Sequence, residues 1–167
     1  MCPGTHFVAG RKGELKMKKI LFVCTGNSCR SPMAELYFNE LCRRQGLPVC
    51  AASAGIYAND GAPASRAAAA VMAELGINSE LFRSTAFTPK RAEKFDLLIG
   101  MTRTHAALMR HIAPDLRECV RTLIPGADVP DPFGGSVEDY REVFNFMRPF
   151  LDQLFTESNN LTQGEKE

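Results

Sequence analysis

Residues 19–31 read KILFVCTGNSCRS, an apolar run that ends in a loop with two cysteines. The apolar part, residues 19–23, is short and rich in strand formers, which is typical of a strand buried on both faces. Ser31 and Pro32 form a helix-start signal, because serine can cap free backbone amides and proline fits the first helical turn. The stretch therefore predicts a strand, a tight loop and a helix, with Cys24 at the carboxyl end of the strand.

The remainder of the chain repeats this alternation of strand and helix. Apolar runs predict strands at residues 49–52, 95–99 and 120–124, and helical spacing predicts helices at 63–75, 104–112 and from 136 onward. Parallel strands are joined through crossover helices, so the pattern predicts a doubly wound α/β fold with one parallel sheet. Such sheets bind ligands at the carboxyl ends of their strands, where Cys24 is expected. Pro149 predicts a kink or a break in the last helix.

The overall composition indicates one globular domain without a strong electric field. The chain has 167 residues, 45% of them hydrophobic and 23% charged, and a formal net charge of +1. We therefore expect neither nucleic acid nor an anionic membrane as a partner, and we expect a monomer. The irregular residues 1–17 predict a disordered extension, residues 18–158 the folded domain, and residues 159–167 a polar tail.

The cysteines and histidines suggest no metal site. The six cysteines show no paired C-x-x-C spacing, which fits a reducing compartment and predicts a cytoplasmic protein. His6, His105 and His111 show no helical pairing with acidic residues, so we expect them at the surface. Neither a metal ion nor another cofactor is expected.

The loop after the first strand has the residues that a phosphate site needs. Backbone amides and the positive end of the helix dipole attract an anion at a strand-to-helix turn. Gly26 can adopt positive φ, Asn27 tolerates the left-handed region, and the guanidinium of Arg30 can bind two phosphate oxygens. The same field favours the thiolate form of Cys24, and Ser31 can donate a hydrogen bond to it or simply cap the helix. These coincidences favour a nucleophile over a structural cysteine.

With this loop the sequence resembles the low-molecular-weight protein tyrosine phosphatase family, whose signature is C-x5-R-S directly after the first strand. The matching stretches are residues 24–31, 32–35 (PMAE), 53–55 (SAG) and 131–133 (DPF), within a likeness spanning about residues 18–156. The resemblance implies a flavodoxin-like three-layer fold with a central four-stranded parallel sheet. It also implies a cysteine-dependent protein phosphatase that hydrolyses phosphomonoesters through a phosphocysteine intermediate.

The resemblance also implies roles for individual residues. It makes Cys24, Arg30 and Asp131 catalytic, with Asp131 as general acid and Asp128 as its rival. The phosphate-binding residues are Thr25, Gly26, Asn27, Ser28, Cys29 and Arg30, supported by Ser31, Asn27 and Ser53. The expected ligands are phosphorylated proteins or peptides, with inorganic phosphate and other oxyanions as inhibitors.

Two positions leave the substrate open. Tyrosine phosphatases of the family commonly have a bulky aliphatic residue where this chain has Ser28, and tyrosine where it has Phe133. Bacterial protein arginine phosphatases have a threonine at the position of Ser28 and share the run DPFGGS, residues 131–136. A hydroxyl makes the pocket wall less apolar, which suits a guanidinium better than a phenyl ring. Phosphotyrosine and phosphoarginine are therefore alternative substrates.

The same loop is compatible with two different functions and with a redox role. It also resembles the loop of thioredoxin-coupled arsenate reductases, but residues 100–109 contain no cysteine for the relay that those enzymes need. A phosphate-binding module without catalytic activity is a further hypothesis. The family resemblance implies that Cys29 forms a reversible disulfide with Cys24 that protects the nucleophile, whereas a small residue filling the loop is the simpler explanation.

Overall fold

A computed structural model of the protein describes residues 18–47 and 49–163. The extension predicted over residues 1–17 lies outside the described residues, as do residues 164–167 of the predicted tail. Within the described part of the chain, no helix is long and apolar enough to cross a membrane.

The sheet has the predicted parallel architecture. Its strands are Lys18–Cys24 (β1), Val49–Gly55 (β2), Leu97–Gly100 (β3) and Val120–Thr122 (β4). They lie in the order β2-β1-β3-β4, and every neighbouring pair is parallel. This confirms the α/β prediction, because a parallel sheet needs a crossover between each pair of strands.

Helices cover both faces of the sheet. They are Arg30–Gln45 (α1), Arg66–Glu74 (α2), Pro89–Ala92 (α3), Arg103–Ile112 (α4) and Val137–Gln163 (α5), with a 3₁₀ turn at Pro114–Cys119. Because side chains alternate along a strand, Ile20 and Phe22 of β1 join a core cluster that contains residues of α1, α2 and α5. Leu21 and Val23 join a second cluster that contains residues of α4. The predicted three-layer fold is confirmed.

One local prediction was wrong and another is decided in part. Helix α1 begins at Arg30 with Cys29 as its N-cap residue, so Ser31 lies inside the first turn and does not cap the helix. Helix α5 continues through Pro149 to Gln163, so of the predicted kink or break the break is absent. Proline removes one backbone donor from the helix, but buried residues on both sides, Met147 and Leu151, hold this segment against the core.

The pairing of β1 delivers Cys24 to the carboxyl edge of the sheet. Cys24 pairs with Gly55 at the end of β2, and Val23 pairs with Gly100 at the end of β3. A Cβ atom at Gly55 would lie 2.7 Å from the backbone oxygen of Thr25 and 2.8 Å from the backbone nitrogen of Asn27. The loop after Cys24 therefore packs against β2 so closely that only glycine fits there.

Candidate active site

A cavity of about 210 Å³ opens at the carboxyl end of β1. Its walls consist of loop residues and two residues from a distant segment: Cys24, Thr25, Gly26, Ser28, Cys29, Arg30, Asp131 and Phe133. The structure thus brings together both halves of the predicted site, which are separated by about a hundred residues in the sequence.

Cys24 lines this cavity, and its thiol contacts a serine hydroxyl. Its Sγ is 2.9 Å from Oγ of Ser31, and both residues are buried. Asn27 Nδ2 donates to the same Ser31 oxygen at 2.9 Å. The single hydroxyl hydrogen of Ser31 then has two acceptors within reach, the sulfur at 2.9 Å and the backbone oxygen of Ala54 at 3.5 Å, and the shorter contact favours donation to the sulfur.

Asn27 fixes the shape of the loop. Its φ of 52° lies in the left-handed region, while Gly26, for which positive φ was predicted, does not adopt it. The reason is the amide side chain: Nδ2 also donates to Ser53 Oγ at 2.7 Å, and Oδ1 accepts from the backbone N–H of Thr85 at 2.7 Å. These bonds hold the backbone of Asn27 in a conformation that asparagine tolerates better than most residues.

A half-buried carboxyl group extends this chain of hydrogen bonds. Ser53 Oγ accepts from Asn27 and donates to Glu35 Oε2 at 2.5 Å. Burial raises the pKa of Glu35, although its hydrogen bonds with Ser53 act in the opposite direction. A hydrogen-bonded path therefore runs from Glu35 through Ser53, Asn27 and Ser31 to the thiol of Cys24.

Arg30 lines the same cavity as the thiol and has one nitrogen unsatisfied among the described residues. Its Nη1 donates to the backbone oxygen of Val129 at 3.2 Å, and its Nη2 is 3.1 Å from Oδ2 of Asp131. The guanidinium Nε is buried and has no hydrogen-bond partner among the described residues. Because a buried donor without a partner is costly, this nitrogen indicates that the site binds an oxygen-bearing anion.

The two candidate acids have different surroundings. Asp128 accepts from the backbone N–H of Arg103 at 2.7 Å and pairs with its guanidinium at 3.1 Å, and this pairing lowers the pKa of the Asp128 carboxyl. Asp131 lines the cavity, is half exposed, and accepts from the backbone N–H of Phe133 at 3.2 Å. Asp131 is therefore the acid that is placed to reach a bound substrate.

The second loop cysteine faces away from solvent. Cys29 Sγ is 3.0 Å from the hydroxyl of the buried Tyr140 and 3.3 Å from Oγ of Ser28. Cys24 and Cys29 are both free thiols. Tyr140 therefore holds the Cys29 side chain from the side of α5.

One exposed aromatic side chain lines the cavity, and a second exposed aromatic residue binds the loop through its backbone. Phe133 lines the cavity and is 79% exposed, and Tyr57, at 73%, follows β2 and binds the loop through its backbone N–H to the oxygen of Thr25. Exposed rings beside a polar pocket can stack on a planar group of a substrate.

The surface position predicted for His105 was wrong. Its side chain is buried, with Nε2 at 2.8 Å from Oγ1 of Thr25 and Nδ1 at 2.8 Å from Oγ1 of Thr102. Burial, together with the positive charge of Arg30, lowers the pKa of His105 to about 4. His111 is exposed as predicted, and His6 lies outside the described residues.

The family model for the low molecular weight phosphotyrosine protein phosphatases matches residues 19–164. The chain belongs to this family. A protein-arginine-phosphatase of Bacillus subtilis (strain 168) is 37% identical over 140 residues, which cover 81% of this chain and 93% of the relative. The low molecular weight protein-tyrosine-phosphatase Etp of Escherichia coli (strain K12) is 33% identical over 139 residues, which cover 80% and 90%.

A solved structure supports the same assignment. The low molecular weight protein tyrosine phosphatase from T. tengcongensis superposes on this phosphatase with a TM-score of 0.80 at 33% identity, covering 84% of this chain and 99% of that one. The predicted family, the flavodoxin-like fold and the activity of a cysteine-dependent protein phosphatase are confirmed.

Three residues of this phosphatase's site were missed by the sequence reasoning. Glu35 lies in the matched stretch 32–35, so its place in the motif was a usable signal. Tyr57 lies just after the matched stretch 53–55. For His105 no such signal exists, because its partner Thr25 is 80 residues away in the sequence.

Proposed function

We propose that this phosphatase uses Cys24 as the nucleophile, Arg30 as the phosphoryl clamp and Asp131 as the general acid. The observation that supports the proposal is the convergence of these three groups on one cavity, with the Ser31 hydroxyl directed at the thiol and the buried Nε of Arg30 unsatisfied. Phosphoryl oxygens would satisfy that nitrogen and compete with Asp131 for Nη2, which frees the carboxyl group for proton transfer.

In the first step the Cys24 thiolate attacks phosphorus, and the bond between phosphorus and the leaving atom breaks. Asp131 donates its proton to that leaving atom, so that the leaving group departs neutral. Arg30 and the amides at the N-terminus of α1 stabilise the charge on the equatorial oxygens. The product of this step is phosphocysteine with Asp131 as a carboxylate.

In the second step water attacks the phosphocysteine. The Asp131 carboxylate takes a proton from that water, and the bond between phosphorus and sulfur breaks. The electron pair returns to Cys24 as a thiolate, which the Ser31 hydroxyl stabilises through its hydrogen bond. Inorganic phosphate leaves, and both groups are restored to their starting protonation states.

Phosphotyrosine is the first candidate substrate. The exposed ring of Phe133 lines the cavity, where it can stack on the phenyl ring of a bound phosphotyrosine. The chain's family description and its relative from E. coli support this choice.

Phosphoarginine is the second candidate, favoured by Ser28. This half-buried residue lines the cavity and gives its wall a hydroxyl, which can accept a hydrogen bond from a guanidinium but offers little apolar surface to a phenyl ring. The relative from B. subtilis supports this choice. The ring of Phe133, which lines the cavity, can also bind a guanidinium through a cation–π contact.

Parallel assays with a phosphotyrosine peptide and a phosphoarginine peptide that share the same flanking sequence distinguish the two candidates. The substrate with the higher kcat/KM identifies the activity. Turnover of neither peptide, nor of para-nitrophenyl phosphate near pH 6, together with tight binding of inorganic phosphate, would establish a non-catalytic phosphate-binding module instead. Arsenate should inhibit without being reduced, since residues 100–109 contain no cysteine.

We further propose that oxidation links Cys24 to Cys29. Peroxide oxidises the Cys24 thiolate to a sulfenic acid, the Cys29 thiol displaces water to form a disulfide, and a thiol reductant restores both thiols. The position of Cys29 inside the same loop and its free thiol support this proposal. Peroxide-treated wild type should regain activity with reductant, whereas Cys29→Ser should not.

The remaining properties are proposals from composition and family. We propose that the protein is a cytoplasmic monomer without nucleic-acid or membrane partners. Its phosphatase domain spans residues 18–158. Inorganic phosphate and other oxyanions inhibit the enzyme competitively. The near-neutral net charge of +1 supports the absence of polyanionic partners. Sedimentation velocity of the purified chain and inhibition kinetics with phosphate test these points.

A further inference from the structure

A buried histidine outside the nucleophile's own hydrogen-bond network contacts the phosphate loop. His105 lies in the first turn of α4, and its imidazole reaches the hydroxyl of Thr25, the residue that follows the nucleophile. Thr25 is exposed and lines the cavity, so the histidine contacts a residue of the cavity wall. The mechanism described above uses neither the imidazole nor the Thr25 hydroxyl.

Local geometry holds the imidazole in place. The end of β3 packs so tightly on α4 that a Cβ atom at Gly100 would lie 2.8 Å from the backbone nitrogen of Ala106 and 3.2 Å from Cβ of His105. Helix capping accounts for one side of the ring, since Thr102 is the N-cap residue of α4 and contacts Nδ1. Capping does not account for the contact of Nε2 with Thr25, which belongs to another element.

The hydrogen bonds of the cap favour one position for the proton of the ring. Thr102 Oγ1 accepts from the backbone N–H of His105 at 3.1 Å, so one of its lone pairs is occupied. Its hydroxyl hydrogen can then be donated to Nδ1 at 2.8 Å. The lowered pKa keeps the imidazole neutral near pH 7, so the ring has a single N–H, and we infer that it lies on Nε2.

This tautomer sets the direction of the last hydrogen bond. Nε2–H donates to Oγ1 of Thr25, and the hydroxyl hydrogen of Thr25 is therefore not used by the histidine. We propose that His105 is a positioning residue that holds the Thr25 hydroxyl at the mouth of the cavity as a hydrogen-bond donor to the phosphoryl group. The inference rests on the proposed function and adds a donor to the site beyond Arg30 and the loop amides.

Direct observation of the tautomer tests the first link. Long-range proton–nitrogen correlation spectra of the wild-type protein distinguish a protonated Nε2 from a protonated Nδ1 in a neutral imidazole. We expect the His105 proton on Nε2. A proton on Nδ1 would overturn the inference, because Thr25 would then donate to the histidine and not to the phosphoryl group.

Binding of inorganic phosphate tests the second link without requiring turnover. Thr25→Val removes the hydroxyl at nearly constant volume, and we expect it to weaken phosphate binding about tenfold, as for one hydrogen bond to a charged group. Thr25→Ser should bind nearly as well as wild type. Thr122→Val is the matched control, since it removes a threonine hydroxyl that donates to the backbone oxygen of Ile124 and does not line this cavity.

A double-mutant cycle separates positioning from general support of the fold. His105→Phe should weaken phosphate binding as Thr25→Val does, and the double variant should bind no more weakly than either single variant. His105→Gln, whose amide N–H can replace Nε2–H, should retain most of the affinity. Additive losses in the double variant, or wild-type affinity in Thr25→Val, would overturn the inference.

Failure of the His105–Thr25 inference can be distinguished from misfolding of a variant and from failure of the proposed function. The tautomer and Thr25→Val are informative even if His105→Phe does not fold, because neither depends on that variant. Wild type that binds phosphate but does not turn over para-nitrophenyl phosphate refutes the proposed function while leaving the Thr25–His105 measurements interpretable.

Discussion

Replacing Ser31 by alanine removes one oriented hydrogen bond from the nucleophile. In the structure the Ser31 hydroxyl accepts from Asn27 and lies 2.9 Å from Cys24 Sγ, closer than its other acceptor, the backbone oxygen of Ala54 at 3.5 Å. Asn27 keeps its bonds to Ser53 and to the backbone of Thr85, so the loop should retain its shape. The expected defect is therefore chemical, and it concerns the stability of the Cys24 thiolate.

The magnitude follows from the charge of the acceptor. Hydrogen bonds to charged groups contribute about 1.5–3 kcal/mol, which corresponds to a factor of roughly 10 to 150 in rate. The breakdown of phosphocysteine expels Cys24 as a thiolate, so this step loses the stabilisation from Ser31 directly. We expect kcat to fall at least tenfold and the phosphocysteine intermediate to accumulate.

Stopped-flow hydrolysis of para-nitrophenyl phosphate measures both effects, because slow breakdown of the intermediate produces a burst of para-nitrophenol. Ser158→Ala is the matched control: it also removes a buried serine hydroxyl, which donates to the backbone oxygen of Leu154 on α5. The control should retain the wild-type kcat within about twofold, as expected for a change that leaves transition-state interactions intact. A kcat for Ser31→Ala equal to that of the control would refute the assignment of Ser31 as the donor to the thiolate.

Three further changes have defined outcomes. Asp131→Asn cannot donate a proton to the leaving atom, so kcat/KM, which reports the first step, should fall about a hundredfold or more for substrates with poor leaving groups and least for para-nitrophenyl phosphate; an equal loss of kcat/KM for all leaving groups would contradict the acid role. Ser28→Ile replaces the hydroxyl of the cavity wall by an alkyl group. The ratio of kcat/KM for a phosphotyrosine peptide to kcat/KM for a matched phosphoarginine peptide should rise about tenfold. An unchanged ratio would show that Ser28 does not determine specificity. The pKa of His105 is lowered from 6.5 to about 4 in the folded protein, so its contribution to stability is complete above about pH 6.5 and is lost as the pH falls toward 4. Urea unfolding across that range should show a steeper decline for wild type than for His105→Gln, and parallel declines would argue against a buried neutral imidazole.

The sequence predicts the overall fold well because its signals are local. A buried strand, a glycine-containing loop and a helix follow one another within residues 19–31, and the alternation of strands and helices requires parallel connections. Asp131 could also be identified, since the Asp-Pro-Phe run belongs to the family motif. Each of these features can be read from neighbouring residues.

The remaining features depend on contacts between distant segments. For Ser31 the sequence allows two roles, a hydrogen bond to Cys24 and a helix cap, and only the fold shows that Cys29 takes the cap position while Ser31 Oγ lies 2.9 Å from the sulfur. Likewise, His105 is buried only because the first turn of α4 meets the phosphate loop, 80 residues earlier in the chain. No periodicity reports such a contact, so a histidine of this kind looks like a surface residue until the fold is known.

The central claim is that Cys24 carries the phosphoryl group during turnover. Rapid acid quenching of the enzyme during hydrolysis of a phosphorylated peptide, followed by mass spectrometry of its proteolytic fragments, locates that group directly. We expect one phosphoryl group on the fragment containing Cys24, with no label on Cys29, and no steady-state turnover by Cys24→Ala. A phosphoryl group on another residue, or continued turnover by Cys24→Ala, would contradict the claim.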